Sequence, residues 1–319
     1  MEMMQPEVVT LGECMAVLYP SEPIPLAQAG QLALDIAGAE ANLSIGLSRL
    51  GHRVRFISRV GNDPFGQRIR STLAAEGVQT DAIITDEQAP TGVFFREWLP
   101  DGLRRVFYYR RFSAASRLAP EHLHRELFEG ARLVHLTGIT PALSQSCAEA
   151  VAYAVELAQE AGALVVFDPN YRAPLWEPEH ARAVLLPLLR RADIILMSHE
   201  DAAAVLGVEE VEEVRKVAET FRAQVTVLRR AEQGACAFFG STCISVPAHP
   251  VAQVVDPVGA GDGFNAGFLA GWLRGYSLQE ALQLGTRVGA AIVAELGDYA
   301  GFRGEETPGK SSIEDKERF

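Results

Sequence analysis

The chain has 319 residues, 48% of them apolar, and a formal net charge of −12. That length buries one large core or two modest ones, and the composition suits a globular α/β protein, not a fibrous or disordered one. The acidic balance, with no Lys/Arg-rich run, argues against nucleic acid and anionic membranes as partners.

The first twenty residues carry Glu2, Glu7 and Glu13 and lack the basic start and apolar core of a signal peptide. No apolar run reaches the length of a membrane span, so the expected location is cytoplasmic. Apolar runs at 7–12, 53–61, 132–138, 163–168, 194–197 and 225–229 read as strands. Several are apolar on both faces, as strands between two helix layers are. Helical stripes fill the gaps: Leu43, Leu47 and Leu50 recur at i, i+4, i+7, and 144–161 and 179–190 carry similar patterns. This alternation predicts an α/β fold with a mostly parallel central sheet and helices on both faces.

Two segments, 15–36 and 91–111, interrupt the alternation with strand-like stretches and no helix between them. Asp101-Gly102 predicts a hairpin tip in the second. These stretches are expected to pair as a separate antiparallel sheet, a lid drawn from about residues 12–37 and 90–112. From residue 304 the chain turns polar and reads as a tail, leaving 1–303 as a single domain. Cys14, Cys147, Cys236 and Cys243 show neither metal-site nor disulfide-framework spacing, so four reduced thiols are expected. His135, on a buried-looking strand, reads as core.

The strongest chemical signal is Asp256-Pro257-Val258-Gly259-Ala260-Gly261-Asp262, followed by Gly263, Gly267 and Gly271 at four-residue spacing. Glycine inside a helix costs roughly 1 kcal/mol against alanine, so three on one face imply close packing or a ligand. A Gly-Ala-Gly turn opening a helix presents unpaired N–H groups at the positive end of the helix dipole, which is an anion hole. Asp262 beside it either caps the helix or accepts a proton from an attacking hydroxyl while the amides hold a phosphoryl group. Two look-alikes fail on context. Phe264 stands where a dinucleotide-binding fingerprint needs its third glycine. The P-loop pattern at Gly304–Ser311 has only eight residues after it, too few for the packed helix that such a loop must open.

Near the start, Gly38 opens a helix and Asn42 follows one turn on, so both can face a sugar hydroxyl, or simply belong to a capped helix packed on the sheet. The stretches AGAEANLSIGLSRLGHRVRFISRVGNDPFG and DPVGAGDGFNAGFLAG, in this order and separation, resemble the two signatures of the ribokinase-like (PfkB) carbohydrate kinases. The likeness runs from about residue 8 to 300. It implies an α/β core with a small β lid, ATP and Mg2+, Asp262 as base, and Gly259, Ala260 and Gly261 as the anion hole. A monovalent cation is a further candidate.

Within that family the chain is most similar to 2-keto-3-deoxygluconate kinases, through RVFYYR at 105–110, LTGITPAL at 136–143 and DPNYR at 168–172 with Leu175-Trp176. By this resemblance Gly38, Tyr108, Arg110, Ile139, Arg172, Asp262 and Asp298 contact substrate. Asn170, Arg172, Ala231, Gly234, Gly259 and Gly261 face ATP, and Asp201 helps hold Mg2+ through water. The residue types suit a sugar acid, since Arg110 and Arg172 are donor forks for a carboxylate and Tyr108 offers a hydroxyl and a flat ring. Four positions depart from the family pattern: Ala37 for a glycine, Phe94 for a substrate-facing tyrosine, Ser198 with Asp201 for an Asn-x-x-Glu pair, and Ala231 for a glycine. The expected reaction is phosphorylation of 2-keto-3-deoxygluconate to its 6-phosphate. Sibling kinases for fructose, ribose, 5-keto-2-deoxygluconate or a nucleoside are the nearest rivals, followed by a silent sugar-binding regulator on the same fold. A homo-oligomer formed through the lid is expected, because paired lids cover their exposed edges.

Overall fold

The computed structural model describes residues 5–99, 103–240 and 242–302. The expected tip at Asp101-Gly102, the tail and the P-loop look-alike lie outside them.

Six parallel strands form the centre of a nine-stranded sheet: β1 (Val8–Leu11), β4 (Val54–Gly61), β8 (Leu133–Thr137), β9 (Leu164–Asp168), β10 (Ile194–Ser198) and β11 (Val225–Arg229). Each falls on a run read as a strand. The order is β13-β12-β11-β10-β9-β8-β1-β4-β5, with β5 (Ile83–Asp86) parallel at one edge. At the other edge β12 (Ala235–Phe239) and β13 (Thr242–Val246) turn antiparallel. Alternation puts Val9, Leu11, Val134, Leu136, Val165 and Phe167 in one core, and Val8, Leu133, Val166, Ile194 and Leu196 in the other.

The helices are α1 (Ala39–Arg49), α2 (Pro64–Ala75), α3 (Gln145–Glu160), α4 (Pro178–Leu189), the short α5 (His199–Asp201), α6 (Val211–Ala218), α7 (Ala260–Leu273) and α8 (Leu278–Val293). Their starts are written locally. Ser144 accepts the Cys147 amide at 3.1 Å ahead of α3, and Asp63 accepts Gly66 at 2.8 Å ahead of α2. The glycine face of α7 packs on α8: side chains at Gly263, Gly267 and Gly271 would press on Ile292, the Leu284 carbonyl and Ala281. Close packing is thus the reason for that spacing.

A separate four-stranded sheet has the order β3-β2-β6-β7, from β2 (Met15–Tyr19), β3 (Ala33–Ala37), β6 (Val93–Trp98) and β7 (Arg104–Tyr109). One expectation is corrected here. The strands pair antiparallel within each insertion, but β2 and β6, which join the two insertions, run parallel, with Ala16 opposite Val93. Strands from separated insertions have no hairpin to impose antiparallel pairing. All four described cysteines are free thiols, and among the described residues no helix is long and apolar enough to cross a membrane.

Candidate active site

The expected site residues gather where the parallel strands end, the usual position for a ligand in an open α/β sheet. Ile139 follows β8, Asn170 and Arg172 follow β9, and Ala231 follows β11.

At the centre is the start of α7. Gly259 is its N-cap residue, with φ +81°, and any side chain there would also collide with the Asp298 carbonyl. Asp262 is the third residue of the helix, so the capping alternative falls. Its Oδ2 accepts Asn42 Nδ2 at 2.8 Å from α1, instead of accepting a backbone amide. Among the described residues the N–H groups of Gly261 and Asp262 have no acceptor, whereas Gly263 N already bonds the Gly259 carbonyl at 2.8 Å. Two amides at the positive end of a fourteen-residue helix are therefore free for an anion.

Asp262 is half-buried, and burial pushes its carboxyl up to about 7. The Asn42 hydrogen bond and the Arg172 charge pull it down, while Asp168 and Asp298 push it further up. A carboxyl poised near neutrality is suited to taking a proton at neutral pH. Asn42 is itself buried, and its Oδ1 has no partner among the described residues, leaving an acceptor for a ligand hydroxyl.

Beneath the amides lies a polar network that sequence reading missed. Arg229, at the end of β11, donates to both oxygens of Asp168, at 3.0 and 3.2 Å, and to Asn265 Oδ1. Asn265 Nδ2 donates back to Asp168 at 2.7 Å. A Cβ on Gly261 would stand 3.9 Å from the Arg229 guanidinium, so this charge lies directly below the anion hole. Burial opposes the charge of Arg229, but Asp168, Asp201 and Asp262 outweigh it and hold its pKa above the usual value.

On the expected sugar side, a side chain at Gly38 would collide with the Glu13 carbonyl, so the glycine is there for close approach. The Glu13 carboxylate, also missed, is ion-paired with Arg110 and accepts Ser113 Oγ at 2.5 Å. Arg110 therefore does not present a bare charge, although its Nε lacks a partner. Its guanidinium sits 5.6 Å from the centroid of the exposed Tyr108 ring, which rests on Phe94 at 5.4 Å. Ile139 donates its amide to Thr137 Oγ1 at 3.1 Å, and Thr137 in turn donates to the buried Glu40 at 2.7 Å. Arg172 is exposed, and its guanidinium has no ion pair or hydrogen bond among the described residues. It is the free positive charge that Asp262 feels.

Two expected residues face inward. Asp298 is buried and ion-paired with Arg96 at 2.8 Å, and burial pushes its carboxyl up to about 6. The Asp201 carboxylate caps its own segment, accepting the Ser198 amide at 2.8 Å and the Tyr171 amide at 2.7 Å, with Arg229 3.6 Å away. Both of its oxygens are committed, and no cluster of His, Cys, Asp or Glu among the described residues could hold a metal. Each oxygen keeps a second lone pair that a water could use. On the expected nucleotide side, Asn170 and Ala231 both take positive φ, +37° and +47°. The family glycine that Ala231 replaces would adopt that conformation without strain. A side chain at Gly234, at φ +85°, would collide with the Val246 carbonyl.

The family model described as pfkB family carbohydrate kinase matches residues 5–303. A 2-dehydro-3-deoxygluconokinase of Bacillus subtilis (strain 168) is 34% identical over 264 residues, 82% of this chain and 81% of that protein. Fructokinase-1 of Zea mays is 33% identical over 261 residues, 81% of this chain and 80% of its own. Among solved structures, a candidate ribokinase II from E. coli in complex with ATP and Mg2+ superposes with a TM-score of 0.87 at 27% identity. That match covers 93% of this chain and 96% of the other. The likeness fits a ribokinase-like α/β fold: a large, mostly parallel sheet with helices, plus a small separate sheet.

Proposed function

The chain belongs to the pfkB family of carbohydrate kinases, and on that premise we propose that it phosphorylates 2-keto-3-deoxygluconate at its 6-hydroxyl with ATP. The observation that carries the chemistry is Asp262: a carboxylate with pKa raised to about 7, lodged beside the free amides of Gly261 and Asp262. Asp262 takes the proton of the attacking hydroxyl as the sugar oxygen bonds to the γ-phosphorus. The bond to the β,γ-bridging oxygen breaks, and ADP leaves. The two amides and Arg229 beneath them meet the charge that spreads over the phosphoryl oxygens. Asn42 aims the base, while Gly38 and Tyr108 shape the sugar side.

Mg2+, when bound with the nucleotide, neutralises phosphate charge. In this chain Asp168 and Asp201 share the single positive charge of Arg229, and Asp201 would hold the metal through water. Asn170, Arg172, Ala231 and Gly234 would line the nucleotide, in a cytoplasmic enzyme whose cysteines are free.

The fructokinase likeness makes the acceptor the point to test. Arg172, unpaired and near Asp262, favours an acid, since a charged hydrogen bond contributes about 1.5–3 kcal/mol. We expect ADP release with 2-keto-3-deoxygluconate to exceed that with fructose or ribose across an acceptor panel. Arg172→Ala should cost at least about tenfold more in kcat/KM on the acid than on any neutral sugar accepted. Equal losses on acid and neutral sugars would assign Arg172 to phosphate and favour a neutral substrate.

The proposal extends to self-association. Strand β7 is an edge with Phe107, Tyr108 and Tyr109 exposed, a surface suited to pairing with a second copy. Sedimentation should show a dimer, and a monomer at all concentrations would remove this part.

A further inference from the structure

The small sheet grips the anion-binding loop with two arginines that take no part in the chemistry above. Arg96 of β6 lies buried between two carboxylates, its Nη1 3.1 Å from Asp256 Oδ2 and 2.8 Å from Asp298 Oδ1. Arg104 of β7 pairs with the other oxygen of Asp256 and donates to the Val255 carbonyl. Each guanidinium is also held by its own sheet: Arg96 stands 5.1 Å from the Tyr19 ring centroid, and Arg104 stands 5.4 Å from that of Trp98.

The two carboxylates are the supports of the loop. Asp256 Oδ1 accepts the Val258 amide at 3.2 Å, fixing the turn that leads into Gly259. The backbone of Asp298 is what Gly259 packs against. Two guanidiniums therefore meet two carboxylates, both of which support the turn just ahead of the residues whose amides are left free. Without Arg96, Asp256 and Asp298 would face each other as buried like charges, and a buried carboxylate stripped of its partner is strongly unfavourable.

We propose that Arg96 and Arg104 are positioning residues for the anion hole, holding the loop so that its amides are correctly placed only while the small sheet is docked on the core. The inference rests on the phosphoryl-transfer reading and adds the coupling between the two sheets. Placement of the sugar-covering sheet and assembly of the phosphate-binding amides become one event.

The test uses the full chain with Arg96→Gln, Arg104→Gln and the double variant Arg96→Gln/Asp298→Asn, each assayed with the acceptor that the wild type uses best. Thermal midpoints are measured in parallel, so that kcat is expressed per folded molecule. Each single variant should lower kcat about ten- to a hundredfold, the scale for misplacing one anion-hole donor. The KM for sugar should rise by less than kcat falls, since the sheet that carries Tyr108 loosens while Asn42 and Arg172 stay in place. The double variant should recover part of the loss, because it removes the uncompensated charge together with its partner.

A lowered thermal midpoint with wild-type kcat per folded molecule would overturn the proposal, as would a double variant no better than Arg96→Gln. Should Arg96→Gln fail to fold, Arg104→Gln decides alone, its side chain being 24% exposed. Wild-type inactivity on every acceptor would count against the proposed reaction, not against the clamp. The clamp is then read by calorimetry with MgATP, where Arg104→Gln should bind about tenfold more weakly and equal affinity would refute it.

Discussion

Asp262→Asn is expected to lower kcat by roughly 10²- to 10⁴-fold, the usual contribution of a positioned general base. The substitution keeps the shape of the side chain and its bond to Asn42, because an amide oxygen accepts from Asn42 Nδ2 as a carboxylate does. It removes only the ability to take a proton. The amides of Gly261 and Asp262 are untouched, so ATP and sugar affinity measured by calorimetry should stay near wild type. Turnover within about tenfold of wild type would remove Asp262 from the role of base.

The largest expected effect on stability is at Arg229. Arg229→Met should cost about 3–5 kcal/mol, because it leaves Asp168 and Asp201 buried without their counter-charge. Burial and its Asp168 neighbour already raise the pKa of Asp201 above the ordinary carboxylate value. A raised folded-state pKa means that the contribution to stability is fully present below the unfolded value and is lost as pH rises through the folded one. The deficit of Arg229→Met should therefore be larger near pH 8 than in mildly acidic buffer, where Asp201 takes up a proton and needs no partner. Thermal midpoints at two pH values test this, and a deficit independent of pH would contradict it. The same variant takes away the charge under Gly261 and so should also weaken nucleotide binding.

The parallel core could be read from the sequence because its strands are apolar on both faces, a pattern that few alternatives share. The hairpin of β12 and β13 was missed, since β13 is mostly exposed and its short alternating pattern resembles a loop. Pairing direction in the small sheet is set by how distant insertions meet, and nothing local encodes it. The site divides in the same way. The DPVGAGD loop announces itself through closely spaced glycines, and among the described residues the amides of Gly261 and Asp262 are left without an acceptor. The residues around it, Glu13, Arg96, Arg104, Arg229 and Asp168, meet partners far away in the sequence and carry no spacing signal. A usable hint was present: Arg96 and Arg229 are charges within apolar strand runs, and a charge in a buried strand needs a partner. The expected metal role of Asp201 rested on a motif position, whereas its bonds to the Ser198 and Tyr171 amides had no sequence signal.

The pH dependence of kcat/KM for the sugar, measured on the unmodified protein between pH 5 and 9, addresses the central claim without disturbing the site. This parameter reports the ionisation of the free enzyme. With Asp262 near 7, the rate should rise about tenfold per pH unit below that value and level off above it, because only the ionised carboxylate can take the proton. A profile flat from pH 5 to 8, or one that falls as pH rises, would contradict Asp262 as the base of a phosphoryl transfer.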